Sequence, residues 1–135
     1  MMNRLSNKHF IGLEHTTKDD IQLIIDTALT FREILDRPIK KVPSLKGKNI
    51  VNLFFENSTR TKLSFELAEK RLSADVLNFS ANSSSLNKGE SLRDTVQNIQ
   101  AMKIDCAVMR HPVPGSCRQL TEYLDCPIVN AGDGT

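Results

Sequence analysis

The chain is expected to fold as an α/β domain. It should form a parallel sheet of about four strands with helices on both faces, preceded by an N-terminal helix. Two observations carry this expectation. Apolar runs of strand length alternate with stretches whose apolar residues recur at the helical period, in the order αβαβαβαβ. The run at 104–109, Ile-Asp-Cys-Ala-Val-Met, is almost wholly apolar, as a strand covered on both faces must be.

Each element has its own signal. Thr17-Lys18-Asp19-Asp20 places a hydroxyl before two acids, the pattern of a helix start. Ile21, Ile24, Ile25, Ala28, Phe31 and Leu35 then form a long apolar stripe. Residues 37–48 contain two prolines and a glycine and read as a loop. Residues 49–55 read as the first strand. A helix over about 59–72 follows, with Thr61, Ser64, Phe65, Ala68 and Leu72 at the helical period. A second short strand is expected at 75–79. The serine-rich stretch 80–89 is too short for a linker and too polar for a core. Residues 90–102 read as a helix with Leu92, Val96, Ile99 and Met102 on one side. After the third strand at 104–109 come a short helix at 115–124 and a fourth strand at 127–130.

Composition narrows the function classes. At 135 residues, 39% hydrophobic and 25% charged, the chain suits one compact domain with a core. The net charge of +2 is interspersed, and no basic run is interleaved with aromatics, which argues against a nucleic-acid partner. Lys40, Lys41, Lys46 and Lys48 form a local basic cluster that reads as a solvated loop. Neither a membrane span nor a signal peptide is visible, so a cytoplasmic location and no membrane partner are expected. Cys106, Cys117 and Cys126 form no CxxC pair, and an odd count suits neither a disulfide framework nor a zinc site. Cys106 sits in an apolar run and reads as a small core residue.

The most informative stretch is Phe54-Phe55-Glu56-Asn57-Ser58-Thr59-Arg60-Thr61. An apolar strand stops abruptly, and three hydroxyls and a guanidinium open a helix. The first N–H groups of that helix are unpaired and lie at the positive end of its dipole. With Ser58, Thr59, Arg60 and Thr61 around them, they suit a phosphate or another tetrahedral oxyanion. A Ser or Thr at this place is equally the signature of a plain N-cap. The glycines of a dinucleotide fingerprint or a P-loop are absent. Position adds weight to the anion reading. In open α/β sheets, ligands bind beyond the carboxyl ends of the strands. Behind the first strand stand Ser58, Thr59, Arg60 and Thr61. Behind the second stands the serine loop with Lys88, behind the third Arg110 and His111, and behind the fourth the run 130–134. Together they would suit a small, multiply charged anion.

The set Phe54-Phe55-Glu56-Asn57-Ser58-Thr59-Arg60-Thr61, Ser85-Leu86-Asn87-Lys88-Gly89-Glu90-Ser91-Leu92, Val108-Met109-Arg110-His111-Pro112 and Asn130-Ala131-Gly132-Asp133-Gly134 resembles the catalytic chains of the aspartate carbamoyltransferases. The resemblance runs from about Leu5 to the end of the chain. Ornithine carbamoyltransferases share the Ser-Thr-Arg-Thr motif; Lys88 before Gly89-Glu90 and the triplet Arg110-His111-Pro112 favour the aspartate branch.

The resemblance implies transfer of a carbamoyl group from carbamoyl phosphate to the amino group of L-aspartate, early in pyrimidine synthesis. It also implies that 1–135 is the carbamoyl phosphate-binding domain alone, without the aspartate-binding domain. Ser58, Thr59, Arg60 and Thr61 would bind the phosphate, with Thr61 also near the carbamoyl oxygen. Arg110 would bind phosphate from the third strand. Ser85 and Lys88 would reach into the site of a neighbouring subunit of a trimer, with or without regulatory chains. Ser83 and Ser84 remain alternatives to Ser85. Glu56 would pair with arginines of the second domain. Arg60, Thr61, Lys88 and Arg110 are the implied catalytic set. No metal, cofactor or covalent nucleophile is called for, so Ser58 is a ligand rather than a nucleophile. His111 is expected to serve structure. A third reading, of another class, is an anion-binding module without turnover.

Overall fold

A computed structural model describes residues 4–80 and 92–134. Helix α1 (Lys18–Arg32) begins where Thr17 and Asp20 form a capping box: Thr17 Oγ1 accepts the Asp20 N–H and Asp20 returns the bond to the Thr17 N–H. A 3-10 turn, Glu33–Asp36, closes it. Then follow β1 (Asn49–Phe54), α2 (Thr59–Arg71), β2 (Asp75–Ser80), α3 (Leu92–Gln100), β3 (Cys106–Arg110), α4 (Ser116–Leu120) and β4 (Ile128–Asn130). The expected alternation is the observed one. Boundaries shift by a few residues where helix ends fray; α4 stops at Leu120 rather than 124.

The four strands form one sheet in the order β2-β1-β3-β4, and every pairing is parallel. From β1 the chain steps to β2 on one side, then crosses back to place β3 on the other. The direction of winding therefore reverses between β1 and β3. At such a switch the two outgoing loops diverge and leave a crevice.

Alternate residues of β1 face opposite layers, as the pleat requires. Val51, Leu53 and Phe55 join Val96, Ile99, Ala107, Met109, Leu120 and Ile128 in the larger core, under α3 and α4. Ile50, Phe54 and Val108 join Phe65 in a smaller core beneath α2. Helices thus cover both faces.

Two features were not legible beforehand. The segment before α1 adds to the sheet: Phe10 N–H bonds Ile128 O at 2.8 Å and Asn130 N–H bonds Phe10 O at 2.9 Å, covering the β4 edge. The stripe on α1 is also only partly covered. Ile25 is 49% and Leu29 54% exposed, and of this region's apolar residues Ile34 is the buried one.

Candidate functional site

The crevice at the switch is built by the ends of β1 and β3. Phe54 pairs with Arg110 in register, and Phe55 N–H bonds Arg110 O at 2.8 Å. The chain then leaves β1 through Glu56 and Asn57 and enters α2 at Thr59. Ser58 occupies the N-cap position with φ −146° and ψ 79°, yet its side chain makes no capping bond. Its hydroxyl instead donates to Thr61 Oγ1 at 2.8 Å. The simple N-cap role is therefore not the one Ser58 plays. The first backbone bond of the helix runs from Lys62 N–H to Ser58 O at 3.0 Å. The N–H groups of Thr59, Arg60 and Thr61 precede it and crown the positive end of α2. Thr59 and Arg60 are exposed; Ser58 and Thr61 are half-buried.

Arg110 ends β3, and its guanidinium lies between Glu56 and the segment behind β4. Its Nε lies 2.7 Å from Glu56 Oε1, an ion pair whose angle does not make it a hydrogen bond. Its Nη1 donates to Ala131 O at 2.7 Å. The paired side chains are only 28% and 34% exposed, so the contact is partly shielded from solvent.

His111 carries the loop behind β3. Its Nδ1 accepts the Val113 N–H at 3.0 Å and lies 3.0 Å from Ser116 Oγ, while its ring packs tilted against that of Phe55, with centroids 5.1 Å apart. Accepting the Val113 N–H assigns the ring proton to Nε2. Burial holds the His111 pKa below its ordinary value, opposed by the Glu56 charge. A neutral ring tied into its own loop is the structural role expected. Asp133, buried, accepts the Gly115 N–H at 3.2 Å and ties the loop behind β4 to the loop behind β3.

The expected residues thus fall into three groups. Ser58, Thr59, Arg60 and Thr61 share one helix end. Glu56 and Arg110 touch across the crevice. Ser85 and Lys88, with Ser83 and Ser84, lie outside the described residues; β2 reaches the same edge at Ser80, which pairs with Phe54. Sequence reasoning did not foresee the Glu56–Arg110 pair or the carbonyl of Ala131. The glycines flanking Asp133 were the available signal, because they mark backbone that must come close to something.

Among the described residues, no group of three or more His, Cys, Asp or Glu side chains could hold a metal ion. No helix among them is long and apolar enough to cross a membrane.

Known proteins resemble this chain in sequence and in fold. The family model described as "Aspartate/ornithine carbamoyltransferase, carbamoyl-P binding domain" matches residues 8–135. The aspartate carbamoyltransferase catalytic subunit of Christiangramia forsetii is 60% identical over 134 residues, which are 99% of this chain and 43% of that protein. The catalytic subunit of M. jannaschii aspartate transcarbamoylase superposes with a TM-score of 0.81 at 42% identity, over 96% of this chain and 42% of that one. The Trypanosoma cruzi aspartate transcarbamoylase, solved with carbamoyl phosphate and aspartate, superposes with a TM-score of 0.84 at 35% identity, over 96% of this chain and 40% of that one. The chain therefore spans about two fifths of the length of the curated relatives it matches. With that family model matched over residues 8–135, this chain belongs to the aspartate/ornithine carbamoyltransferase family, in the region of its carbamoyl-P binding domain.

Proposed function

We propose that this chain is the carbamoyl phosphate half-site of an aspartate carbamoyltransferase. What supports this reading is the hydroxyl-lined positive end of α2 behind β1, with Arg110 at the end of the neighbouring strand β3, at one topological switch. The phosphate would sit over the first turn of α2, taking N–H groups and the hydroxyls of Ser58, Thr59 and Thr61. Arg60 and Arg110 would supply charge-assisted bonds. Glu56 now lies against Arg110; released, it would be available to arginines of an aspartate-binding domain.

The chemistry fits such a cradle. The amine of L-aspartate attacks the carbamoyl carbon, and negative charge gathers on the carbonyl oxygen. The bond from that carbon to the bridging phosphate oxygen then breaks, and the amine gives up a proton. N-carbamoyl-L-aspartate and phosphate leave. Fixed positive charge near Thr61 and the two arginines stabilises both the oxyanion and the departing phosphate. Lys88 and Ser85 of a neighbouring chain would complete the site, which makes the working assembly a trimer or a multiple of one, with or without regulatory chains, in the cytoplasm. Lys88 and Arg110-His111-Pro112 favour aspartate over ornithine as the acceptor, in line with the names of the relatives.

Calorimetric titration with phosphate and carbamoyl phosphate tests the half-site. Arg60→Ala should weaken binding by about 2–4 kcal/mol, the loss expected for a charge-assisted contact to a partly desolvated anion. Unchanged affinity in that variant refutes the assignment.

A further inference from the structure

Arg110 is held from two sides, and one of them is a backbone turn that no sequence motif had marked for this role. The turn follows β4. Asn130 Oδ1 accepts the Gly132 N–H at 2.7 Å, and Asn130 Nδ2 donates to Ile11 O at 2.8 Å. Side-chain bonds of this kind fix an Asx-type turn. The turn is stitched to both neighbours of Arg110. Ala131 N–H bonds Met109 O at 2.7 Å, and His111 N–H bonds Gly132 O at 2.9 Å. Between these two bonds the Ala131 carbonyl meets Arg110 Nη1 at 2.7 Å.

Gly132 makes the arrangement possible. Its φ is +128°, a conformation L side chains rarely adopt. A Cβ built there would lie 2.6 Å from Arg110 Nη1 and 3.1 Å from its Cζ. The guanidinium therefore rests in the space that any other residue would fill.

We propose that the turn of residues 130–132 is the positioning element of Arg110 for anion binding. Gly132 leaves the slot in which the guanidinium lies, and Asn130 sets the turn that aims the Ala131 carbonyl at Nη1. The inference rests on the reading of Arg110 as an anion ligand. A neutral carbonyl holds the cation without neutralising it. Of its five N–H donors one is committed to that carbonyl and Nε faces Glu56, which leaves the rest, on the terminal nitrogens, for a ligand. Fixing the side chain before a ligand arrives removes rotamer entropy that binding would otherwise have to overcome.

A double-mutant cycle in phosphate titration tests this. Arg110→Ala should lower phosphate affinity by about thirtyfold, the scale of a lost bond to a charged group. Gly132→Ala should lower it by about tenfold with Arg110 present and leave it unchanged in the Arg110→Ala background, because the turn acts only through that side chain. Asn130→Ala should follow the same pattern. Equal losses in both backgrounds would make the turn a general structural element and overturn the proposal. Arg110→Ala binding like the wild type would instead overturn the anion reading of Arg110. A second measurement needs no variant. In the 15N-arginine spectrum of the unaltered chain, rotation about the Arg110 Nε–Cζ bond should be slower than that of the exposed Arg60. Equal rates for the two would refute the positioning role whatever the titration gives.

Discussion

Glu69 offers a sharp test of how this sheet is packed. It lies on the inner face of α2 and is only 5% exposed. Its Oε1 accepts from Asn52 Nδ2 at 2.8 Å, and Asn52 is wholly buried in the middle of β1. The same Nδ2 lies 3.2 Å from Asn78 Oδ1 on β2. Two acceptors are left over: Glu69 Oε2 and Asn52 Oδ1 have no hydrogen-bond partner. Burial pushes the Glu69 carboxyl up to about 6 from 4.5, against the bond from Asn52 and with the help of the Glu66 charge. The folded state thus holds this proton more tightly than the unfolded chain does. The contribution to stability is complete below pH 4.5 and is lost as pH rises through about 6. A rise of that size corresponds to about 2 kcal/mol at most, and solvent screening brings the working figure to about 1–2 kcal/mol.

Replacing Glu69 by Gln removes the charge and turns Oε2 into an amide donor, while Oε1 can still accept from Asn52. Urea unfolding of wild type and Glu69→Gln at pH 4.5, 6 and 8 reads the difference directly. The two should be nearly equal at the lowest pH. At pH 8 the Gln variant should be more stable by about 1–2 kcal/mol, the buried charge having been relieved. A difference that stays constant with pH, or a Gln variant that is less stable at pH 8, would refute this account of the buried carboxylate.

Other outcomes follow from particular positions. Gly134→Ala should cost about 2–4 kcal/mol in the same unfolding assay, because its φ is +78° and a Cβ would lie 2.1 Å from Pro112 O. Burial pushes the Cys106 and Cys117 thiols up to about 12, so a disulfide reagent at pH 8 should label them slowly in the native chain and rapidly in urea. The chain alone should form no carbamoyl-aspartate above a no-enzyme blank, since losing the orientation of the amine forfeits about 7–11 kcal/mol of barrier lowering.

The fold was readable because its signals are local and redundant. Thr17 and Asp20 mark the start of α1 by residue type alone, and the apolar run 104–109 reads as a buried strand, which is found at Cys106–Arg110. The hydroxyl-rich helix start was readable for the same reason, with Ser58 and Thr61 three residues apart in the chain and one bond apart in space. What sequence could not supply was contact between distant segments. Glu56 and Arg110 meet only because β3 crosses back beside β1. Asn52 and Glu69 are polar at positions where the strand and helix patterns ask for apolar residues; only the packing shows them paired. The N-terminal segment pairs with β4 through Phe10, and nothing in so short a polar stretch announces a strand. On α1 periodicity correctly gave a helix but not its burial. A stripe states that something can be covered, and the covering surface lies elsewhere in the chain or outside it.

These contacts also explain why the candidate site forms where it does. A parallel sheet aligns the carboxyl ends of its strands, but alignment alone leaves the loops covering one another. Reversal between β1 and β3 sends α2 and the loop behind β3 to opposite faces, so the helix end and Arg110 face a shared gap. The Arg110 guanidinium lies against the turn behind β4, where Gly132 leaves the room that it occupies. Glu56, just past the end of β1, faces Arg110 at 2.7 Å from Nε. With Arg110 as the anion ligand proposed above, an incoming anion and Glu56 would compete for one cation. On that proposal the turn would keep the cation in place whichever of them holds it, so exchange between carboxylate and phosphate would require no rebuilding around Arg110.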